Sequence, residues 1–369
     1  MATLIRIGLL GNGSQIRKTH LPYLLDRQKD RKDVEIAWLA GCACLESDVI
    51  GCPLKWKTGN PIKLAGPETD LLKWTSADWK SLLNGVQAVI ISLPNALHAP
   101  AIRAALEAGI HVAVDKPATT TARDCEELVN YATERSLLFV TLAQRRFEYV
   151  FDEMRKKMTE IGDVKLISYL LWHGHKMGGW RSEPELAGGG TFLDHGFHAI
   201  DLVLWLMQNA SGSEKGGGTP VSVYAACPDI FKKYGDSPME TYGSLTIRFK
   251  NDAVFTLSPS CEGPLGSVDE HLMIYGNGGA LRYLRHKQEL KDDLTPGGLT
   301  WQPKIGGKEE VYPTDKENAK RWAPVADFLD CIGPPRLNPY SPARDSIVVL
   351  RVIEKAYQSA RERREIPLL

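Results

Sequence analysis

The chain has 369 residues, which is more than one ordinary hydrophobic core usually serves, so two domains are expected. Lys and Arg total 45, as do Asp and Glu, and this zero formal charge argues against nucleic acid or an anionic membrane surface as the main partner. The seven cysteines are scattered, no apolar run reaches the length of a membrane span, and the N-terminal segment lacks signal-peptide features, so we expect a cytoplasmic protein with reduced thiols.

The first third of the chain alternates between apolar strands and amphipathic helices. Helical patterns at 98–109 and 121–135 separate the last three strands, and the Pro- and Gly-rich stretch 51–74 is expected to be an irregular loop. Continuous β-branched strands between amphipathic helices predict a parallel sheet covered on both faces, in an α/β domain over residues 1–144. The strands are expected at 4–10, 34–41, 86–94, 110–117 and 137–144.

After about residue 145 the pattern changes to strands with few helices between them. A helix is expected at 148–160, a flexible loop at 211–220 and a closing helix at 342–363. Successive alternating strands predict an α+β domain with a largely antiparallel sheet over residues 145–369. The strands are expected at 164–175, 220–227, 241–249, 253–260 and 270–284.

A glycine motif follows the first strand directly. Gly11 and Gly13 form the G-x-G turn of a dinucleotide-binding fingerprint, in which glycines let the backbone approach a pyrophosphate and the next helix start stabilises its charge. The residues expected to contact the cofactor there are Gly11, Asn12, Gly13, Ser14, Gln15 and Ile16. Ile16 stands at the fingerprint's third glycine. The second strand ends at Gly41 and Cys42, with neither the Asp typical of NAD sites nor an Arg for a 2′-phosphate, so NAD and NADP both stay open.

The segment AGGGTFLDHGFHAID, from Ala187 to Asp201, joins a glycine triplet to an amphipathic pattern. Asp194, His198 and Asp201 recur at i, i+4 and i+7, which places them on one helical face. A histidine beside a carboxylate can accept a proton near neutral pH, so Asp194 and His198 are candidates for proton handling. Three alternatives stay open: a capping box from Thr191 to Asp194, a core histidine, or a Zn or Mn site on the stripe.

Other parts of this segment receive separate interpretations. Asp201 is expected to be a structural hydrogen-bonding partner, and His195 points off the stripe. The triplet Gly188–Gly190 is expected to let the chain pass close to a cofactor or substrate before the helix begins.

Two further motifs complete an ordered set. P-N-A-L-H (94–98) and D-K-P (115–117) follow two strands, at the carboxyl ends where ligands bind in open parallel sheets. Together with the G-x-G turn and the glycine-triplet segment, they resemble the Gfo/Idh/MocA oxidoreductase family across essentially the whole chain. This sequence has Asp115 for the usual Glu, Phe192 for the usual Leu, and Ile16 for a small residue.

The resemblance implies a function and a set of site residues. It implies an NAD(P)-dependent oxidoreductase with an N-terminal Rossmann dinucleotide-binding domain and a C-terminal domain whose open sheet covers the nicotinamide and builds homo-oligomers. It implies that Lys116, Asp194 and His198 are catalytic, with Lys116 polarising the reacting oxygen. Which of His198 and Lys116 takes the proton stays open. The residues expected to line the cofactor are Leu93, Pro94, Asn95, His98, Asp115 and Lys116.

The expected substrate is a small molecule with a secondary hydroxyl or ketone: a sugar, a glycoside or a cyclitol. The side chains expected to contact it are Arg146, Trp172, His173, Trp180, Asp194 and His198. No metal cofactor, nucleic acid or membrane partner is expected. Two alternative functions stay open: a redox-neutral enzyme that uses tightly bound NAD to cleave a glycosidic bond, and a non-catalytic dinucleotide-binding regulator.

Overall fold

A computed structural model of the chain describes two compact units. One unit comprises Met1–Gln144 with Arg321–Ile347, and the other comprises Arg145–Lys320 with Val348–Leu369. No helix in the described part is both long enough and apolar enough to cross a membrane. The described residues are 4–11, 13–40, 63–65, 79, 82–174, 178–210, 217–227, 239–264, 266–287, 294–304, 307–313, 321–333 and 338–368.

Helices occur in both units, and their positions follow the amphipathic patterns of the sequence. Among the described residues, those with eight or more residues are α1 (Leu21–Asp30), α2 (His98–Glu107), α3 (Ala122–Glu134), α4 (Tyr149–Lys157), α5 (Thr191–Met207), α6 (Ala323–Asp330) and α7 (Arg344–Glu362). Helix α3 begins in the usual way, because the side chain of its N-cap residue Thr121 accepts a hydrogen bond from the backbone N–H of Asp124.

The first unit contains a six-stranded sheet in the order β3-β2-β1-β4-β5-β6. Its strands are β1 (Ile5–Leu10), β2 (Val34–Ala40), β3 (Lys63–Ala65), β4 (Ala88–Ile91), β5 (His111–Asp115) and β6 (Phe139–Leu142). All neighbouring pairs run parallel. This is the Rossmann order, in which the chain changes direction between β1 and β4 and leaves a ligand crevice at their carboxyl ends. The predicted α/β fold class is confirmed.

Strand β3 lies within the stretch that the sequence predicts to be an irregular loop. Residues Lys63–Ala65 pair in parallel with Trp38–Ala40 of β2, so the prediction is wrong at these three residues. The rest of 51–74 lies outside the described residues, as do Asn12, Gly41 and Cys42.

Helix α6 comes late in the sequence but packs within the first unit. Its apolar side chains Val325, Phe328 and Leu329 are buried in the same hydrophobic core as β1, β2 and α1. Next to them, the rings of Tyr23 and Trp322 stack with their centroids 4.6 Å apart. This apolar face explains why residues 321–347 join the first unit, whereas the sequence interpretation kept 145–369 together.

The second unit contains a nine-stranded sheet in the order β14-β13-β12-β11-β7-β10-β9-β8-β15. Its strands are β7 (Val164–His173), β8 (Pro220–Ala226), β9 (Ser244–Phe249), β10 (Val254–Ser260), β11 (Val268–Gly276), β12 (Gly279–Lys287), β13 (Leu294–Pro303), β14 (Glu310–Pro313) and β15 (Ile366–Pro367). Strands β7 and β10 run parallel, and the other described pairs are antiparallel. The predicted α+β class is therefore confirmed.

Residues 270–284 form parts of two strands, so the prediction of one strand there is wrong. Strand β11 ends at Gly276 and β12 begins at Gly279, with Tyr275 paired to Ala280. Asn277 and Gly278 occupy the connection, and neither has the positive φ of the turn type in which Asn-Gly is favoured.

The alternation of side chains gives the sheet of the second unit two unlike faces. In β7, Ile167, Tyr169 and Leu171 are buried. Helix α5 packs on this face, because a Cβ at Gly196 would lie 3.9 Å from Leu257 of β10, which pairs with Tyr169. The opposite face carries exposed apolar side chains. Those of large size are Leu166, Trp172, Tyr224, Leu284 and Val311.

Substitution of Phe328 by Ala tests whether α6 belongs to the core of the first unit. Because Phe328 is fully buried there, we expect Phe328→Ala to lower the free energy of unfolding by about 3–5 kcal/mol. The measurement is urea denaturation followed by circular dichroism. Val348→Ala, at a partly exposed position of α7, is the control and should change stability by less than about 0.5 kcal/mol. Equal effects of the two substitutions would contradict the assignment.

Candidate active site

The carboxyl ends of β1 and β4 bring the glycine turn against the first residue after β4. Gly11 has a φ of +114°, and a Cβ there would lie 2.0 Å from the carbonyl oxygen of Ser92, so only glycine fits. At Gly13 a Cβ would meet no atom of the described residues within 4 Å. This open side, next to the exposed helix start at Ser14 and Gln15, fits a dinucleotide pyrophosphate.

Ile16 has a packing role at the third position of the fingerprint. Its side chain is fully buried in the hydrophobic core of the first unit. A glycine at this place normally lets the helix pack closely on the strand. Here the isoleucine fills that space and begins a π-helical turn, Ile16–His20, so its side chain packs in the core instead of lining the open side of the glycine turn.

Two side chains hold Asp115, the residue before Lys116. The hydroxyl of Ser92 donates to Oδ2 of Asp115, and Nε2 of His20 lies 3.0 Å from Oδ1. Burial opposes the charge of Asp115, but the charge and hydrogen bond of His20 and the hydrogen bond of Ser92 outweigh it, and its pKa lies below the ordinary value. Asp115 is therefore ionised at neutral pH and joins the ends of β4 and β5 to the helix that follows the glycine turn.

His98 is a second link between the loops that follow β4 and β5. Its Nδ1 lies 2.8 Å from the carbonyl oxygen of Pro117, and its Nε2 lies 2.9 Å from that of Leu93. Burial lowers the pKa of the imidazole, so the ring is neutral at neutral pH. Because both nitrogens face carbonyl oxygens of the chain itself, the structure gives His98 a part in positioning the half-buried Lys116 and the buried Asn95.

In the second unit, the start of helix α5 is held by a residue far away in the sequence. The N-cap is Gly190, which offers no side chain. The carboxyl group of Glu240 replaces it, with Oε2 3.1 Å from the backbone nitrogen of Gly190 and Oε1 3.0 Å from that of Phe192. The phenol of Tyr357 donates to the same Oε1 at 2.7 Å. The capping box expected from Thr191 to Asp194 is absent at these described residues, since Thr191 already lies inside the helix.

The same contacts explain the glycine triplet. Gly188 has a φ of +75° and ends the short helix Pro184–Ala187. A Cβ at Gly189 would lie 2.7 Å from the hydroxyl of Tyr357, and one at Gly190 would lie 2.2 Å from the carbonyl oxygen of Glu240. The close approach predicted for the triplet therefore exists, but it is to the chain's own Glu240 and Tyr357.

The polar stripe of α5 divides into two parts. Asp194 and His198 are half-buried, and Nε of Arg181 lies 3.3 Å from Oδ2 of Asp194. Asp201 is buried, and both of its oxygens accept hydrogen bonds from the buried guanidinium of Arg146, one of them at 2.9 Å. The expectation that Asp201 is a structural partner is confirmed, and its pairing accounts for its place in the stripe without a metal.

The structure separates the residues expected to contact the substrate. Arg146 is occupied by Asp201, as described above. His173 lies on the α5 side of the sheet, with its ring centroid 5.0 Å from that of His195. Trp172 points to the opposite, exposed face, because consecutive strand residues alternate. Arg181 links Trp180 to Asp194. Its guanidinium contacts Asp194 and lies 4.4 Å from the centre of the Trp180 ring.

Two family models match the chain. Residues 62–142 match the oxidoreductase family with an NAD-binding Rossmann fold, and residues 154–282 match the GFO/IDH/MocA C-terminal domain. The chain belongs to the Gfo/Idh/MocA oxidoreductase family. The resemblance that its sequence motifs indicate is thereby confirmed.

Individual relatives of this oxidoreductase agree with the family. The scyllo-inositol 2-dehydrogenase (NADP(+)) of Bacillus subtilis is 27% identical over 302 residues, which is 77% of this chain and 79% of the relative. The D-xylose 1-dehydrogenase (NADP(+)) 2 of Haloferax volcanii is 27% identical over 283 residues, 75% and 79% of the two chains. The WlbA dehydrogenase from Bordetella pertussis, solved with NADH and UDP-GlcNAcA, shares the fold, with a TM-score of 0.75 and 18% identity over 100% of this chain and 98% of that one.

The open side of Gly13 yields a prediction about cofactor binding. Because a Cβ there would meet none of the residues that the structure describes, Gly13→Ala should leave the melting temperature unchanged. If the pyrophosphate lies there, the added methyl group should weaken NAD or NADP binding about tenfold or more. Isothermal titration calorimetry measures the affinity. Gly298→Ala, an equally open glycine in β13, serves as control, and normal cofactor affinity in Gly13→Ala would place the pyrophosphate elsewhere.

Proposed function

We propose that the protein is an NAD(P)-dependent dehydrogenase or reductase of a secondary hydroxyl or ketone in a sugar, glycoside or cyclitol. Support for the substrate class comes from the family and from relatives whose names refer to inositol and xylose. The observation that carries the proposal is the half-buried pair of Asp194 and His198, one helical turn apart on a helix whose start is fixed. In a chain with a Rossmann sheet, such a pair is suited to moving a proton during hydride transfer.

Hydroxyl oxidation requires that a proton leaves the oxygen. The bound nicotinamide supplies the hydride chemistry. We propose that His198 accepts or returns the proton and that Lys116 polarises the reacting oxygen as charge develops on it. Arg181 holds one oxygen of Asp194, with its Nε 3.3 Å from Oδ2. We propose that Asp194 orients the imidazole of His198 instead of taking the proton itself.

The proposed cofactor is NAD, with NADP as the alternative. A dinucleotide fits the glycine turn and the helix start in the first unit. The names of the inositol and xylose relatives carry NADP(+), and the WlbA structure contains NADH. The residues after β2, which decide between the two cofactors in Rossmann domains, lie outside the described residues.

Two further parts of the proposal concern assembly and location. The exposed face of the nine-stranded sheet, with Leu166, Trp172 and Leu284, is proposed as the surface through which copies of the chain form a homo-oligomer. A cytoplasmic location is proposed because Cys125, Cys261 and Cys331 are buried thiols without disulfide bonds.

A panel of substrates tests the proposed reaction. Sugars, glycosides and inositols are each incubated with NAD or NADP, and absorbance of the reduced cofactor is followed. We expect net cofactor reduction with at least one compound and a preference for one of the two cofactors. Turnover of a glycoside without net cofactor reduction would favour the redox-neutral enzyme, and dinucleotide binding without any turnover would favour the regulator.

Replacement of Lys116 tests the catalytic assignment. If Lys116 stabilises charge on the reacting oxygen, Lys116→Ala should lower kcat about 10²- to 10⁴-fold with the best substrate of the panel. The control is Lys165→Ala, because Lys165 is an exposed lysine on β7 that forms a long, exposed ion pair with Asp163 at 3.9 Å. A Lys116→Ala variant with the activity of the wild type would rule out this role.

A further inference from the structure

The proposed reaction makes no use of the buried carboxyl group at the start of α5. Glu240 is 1% exposed, and three donors reach its side chain: the backbone N–H groups of Gly190 and Phe192 and the phenol of Tyr357. The backbone adds a fourth contact, because the N–H of Thr191 donates to the carbonyl oxygen of Glu240 at 2.9 Å. The segment around Glu240 therefore holds the first three residues of the helix start from outside the helix.

This arrangement is a demanding way to cap a helix. A Ser, Thr, Asp or Asn at the N-cap position does the same locally and keeps its side chain close to water. Burial instead raises the pKa of Glu240, and the hydrogen bonds from Tyr357 and the helix start only partly oppose that shift. The residues at 189 and 190 must also be glycines, because Tyr357 and Glu240 occupy the space that a Cβ would need.

What the arrangement provides is a helix start that is fixed in rotation and in register. Two hydrogen bonds from successive parts of the first turn reach two oxygens of one rigid group, so the helix cannot turn about its axis without losing one of them. Phe192 adds a packing contact, with its ring centroid 5.7 Å from that of Tyr357. Asp194 follows in the first turn, and His198 lies about 12 Å along the axis from the N-cap.

We propose that Glu240 and Tyr357 are positioning residues that set the orientation of Asp194 and His198 towards the reacting oxygen. This inference rests on the proposed function of those two side chains. Glu240 is the main element, because it contacts the helix backbone directly at both oxygens. The hydroxyl of Tyr357 donates to Oε1 of Glu240 and accepts a hydrogen bond from the backbone N–H of Gly190 at 3.1 Å.

Three single variants of the full-length protein, and the double variant Glu240→Gln/Tyr357→Phe, test the inference. Glu240→Gln keeps the size of the side chain but replaces one acceptor oxygen by an NH2 group, which cannot accept from a backbone N–H. Tyr357→Phe removes only the hydroxyl group, with its hydrogen bonds to Glu240 and Gly190, and keeps both contacts of Glu240 with the helix. Glu310→Gln is the matched control, because Glu310 also accepts from a tyrosine, Tyr312, but lies exposed on β14.

The measurements are kcat and KM with the best panel substrate, cofactor affinity by calorimetry, and amide hydrogen exchange of the peptide that covers 189–198. For Glu240→Gln we expect kcat to fall about 10- to 100-fold, as a displacement of the reacting groups by about 1 Å does, while KM and cofactor affinity change less than about threefold. Exchange of 189–198 should become faster. Tyr357→Phe should show a smaller loss of kcat, and the double variant less than the product of both losses. Glu310→Gln should match the wild type.

The outcomes separate the inference from the function on which it rests. A kcat of Glu240→Gln within twofold of the wild type, or a loss confined to KM, would overturn the positioning role. So would an equal loss in Glu310→Gln. A wild-type protein that turns over no compound of the panel would instead reject the proposed function, while the exchange of 189–198 would still decide whether Glu240 fixes the helix start.

Discussion

A buried carboxyl group bound to two backbone N–H groups at the start of α5 determines much of the second unit. Because Glu240 supplies the cap, the helix needs no side chain at its N-cap position, and Gly190 fits there. Because Glu240 and Tyr357 approach so closely, Gly189 and Gly190 have no space for a Cβ. With the cap supplied from outside, Asp194 does not cap the helix and is available to pair with Arg181.

In both units, a long-range contact holds a residue close in the sequence to the candidate reactive residues. Lys116 follows Asp115, which His20 and Ser92 hold in place. Asp194 and His198 follow Phe192, whose backbone Glu240 holds. In each case a long-range contact holds a neighbour in the sequence, and the candidate itself is half-buried. The position of each candidate side chain is thus set by a neighbouring residue that is held in place, and the side chain itself can still exchange a proton or a hydrogen bond.

Local patterns in the sequence predicted most of the fold and the candidate residues. Alternating strands and helices predicted the parallel sheet, and the 3.6-residue period placed Asp194, His198 and Asp201 on one helical face. The hairpin at Asn277 and Gly278 was missed although its turn residues are present, and the period of two in β7 already separates Trp172 from His173.

Contacts between distant parts of the sequence could not be predicted in this way. Glu240 and Tyr357 meet the start of α5 across long sequence separations, and no periodicity or spacing marks either residue. Helix α6 has an ordinary apolar face, which gives no sign of which sheet it covers. The pairing of Arg146 with Asp201 of α5, far away in the sequence, could not be predicted either.

His98 has one further consequence for the loop that carries Lys116. Its two ring nitrogens face two carbonyl oxygens, those of Pro117 and Leu93, but a neutral imidazole carries only one N–H. Burial lowers the pKa of the ring, so two acceptors compete for a single proton. At any moment one loop is hydrogen-bonded and the other faces a lone pair. The choice of tautomer therefore couples the loop after β4 to the loop after β5. A change that strengthens the hydrogen bond of His98 to one loop weakens its hydrogen bond to the other.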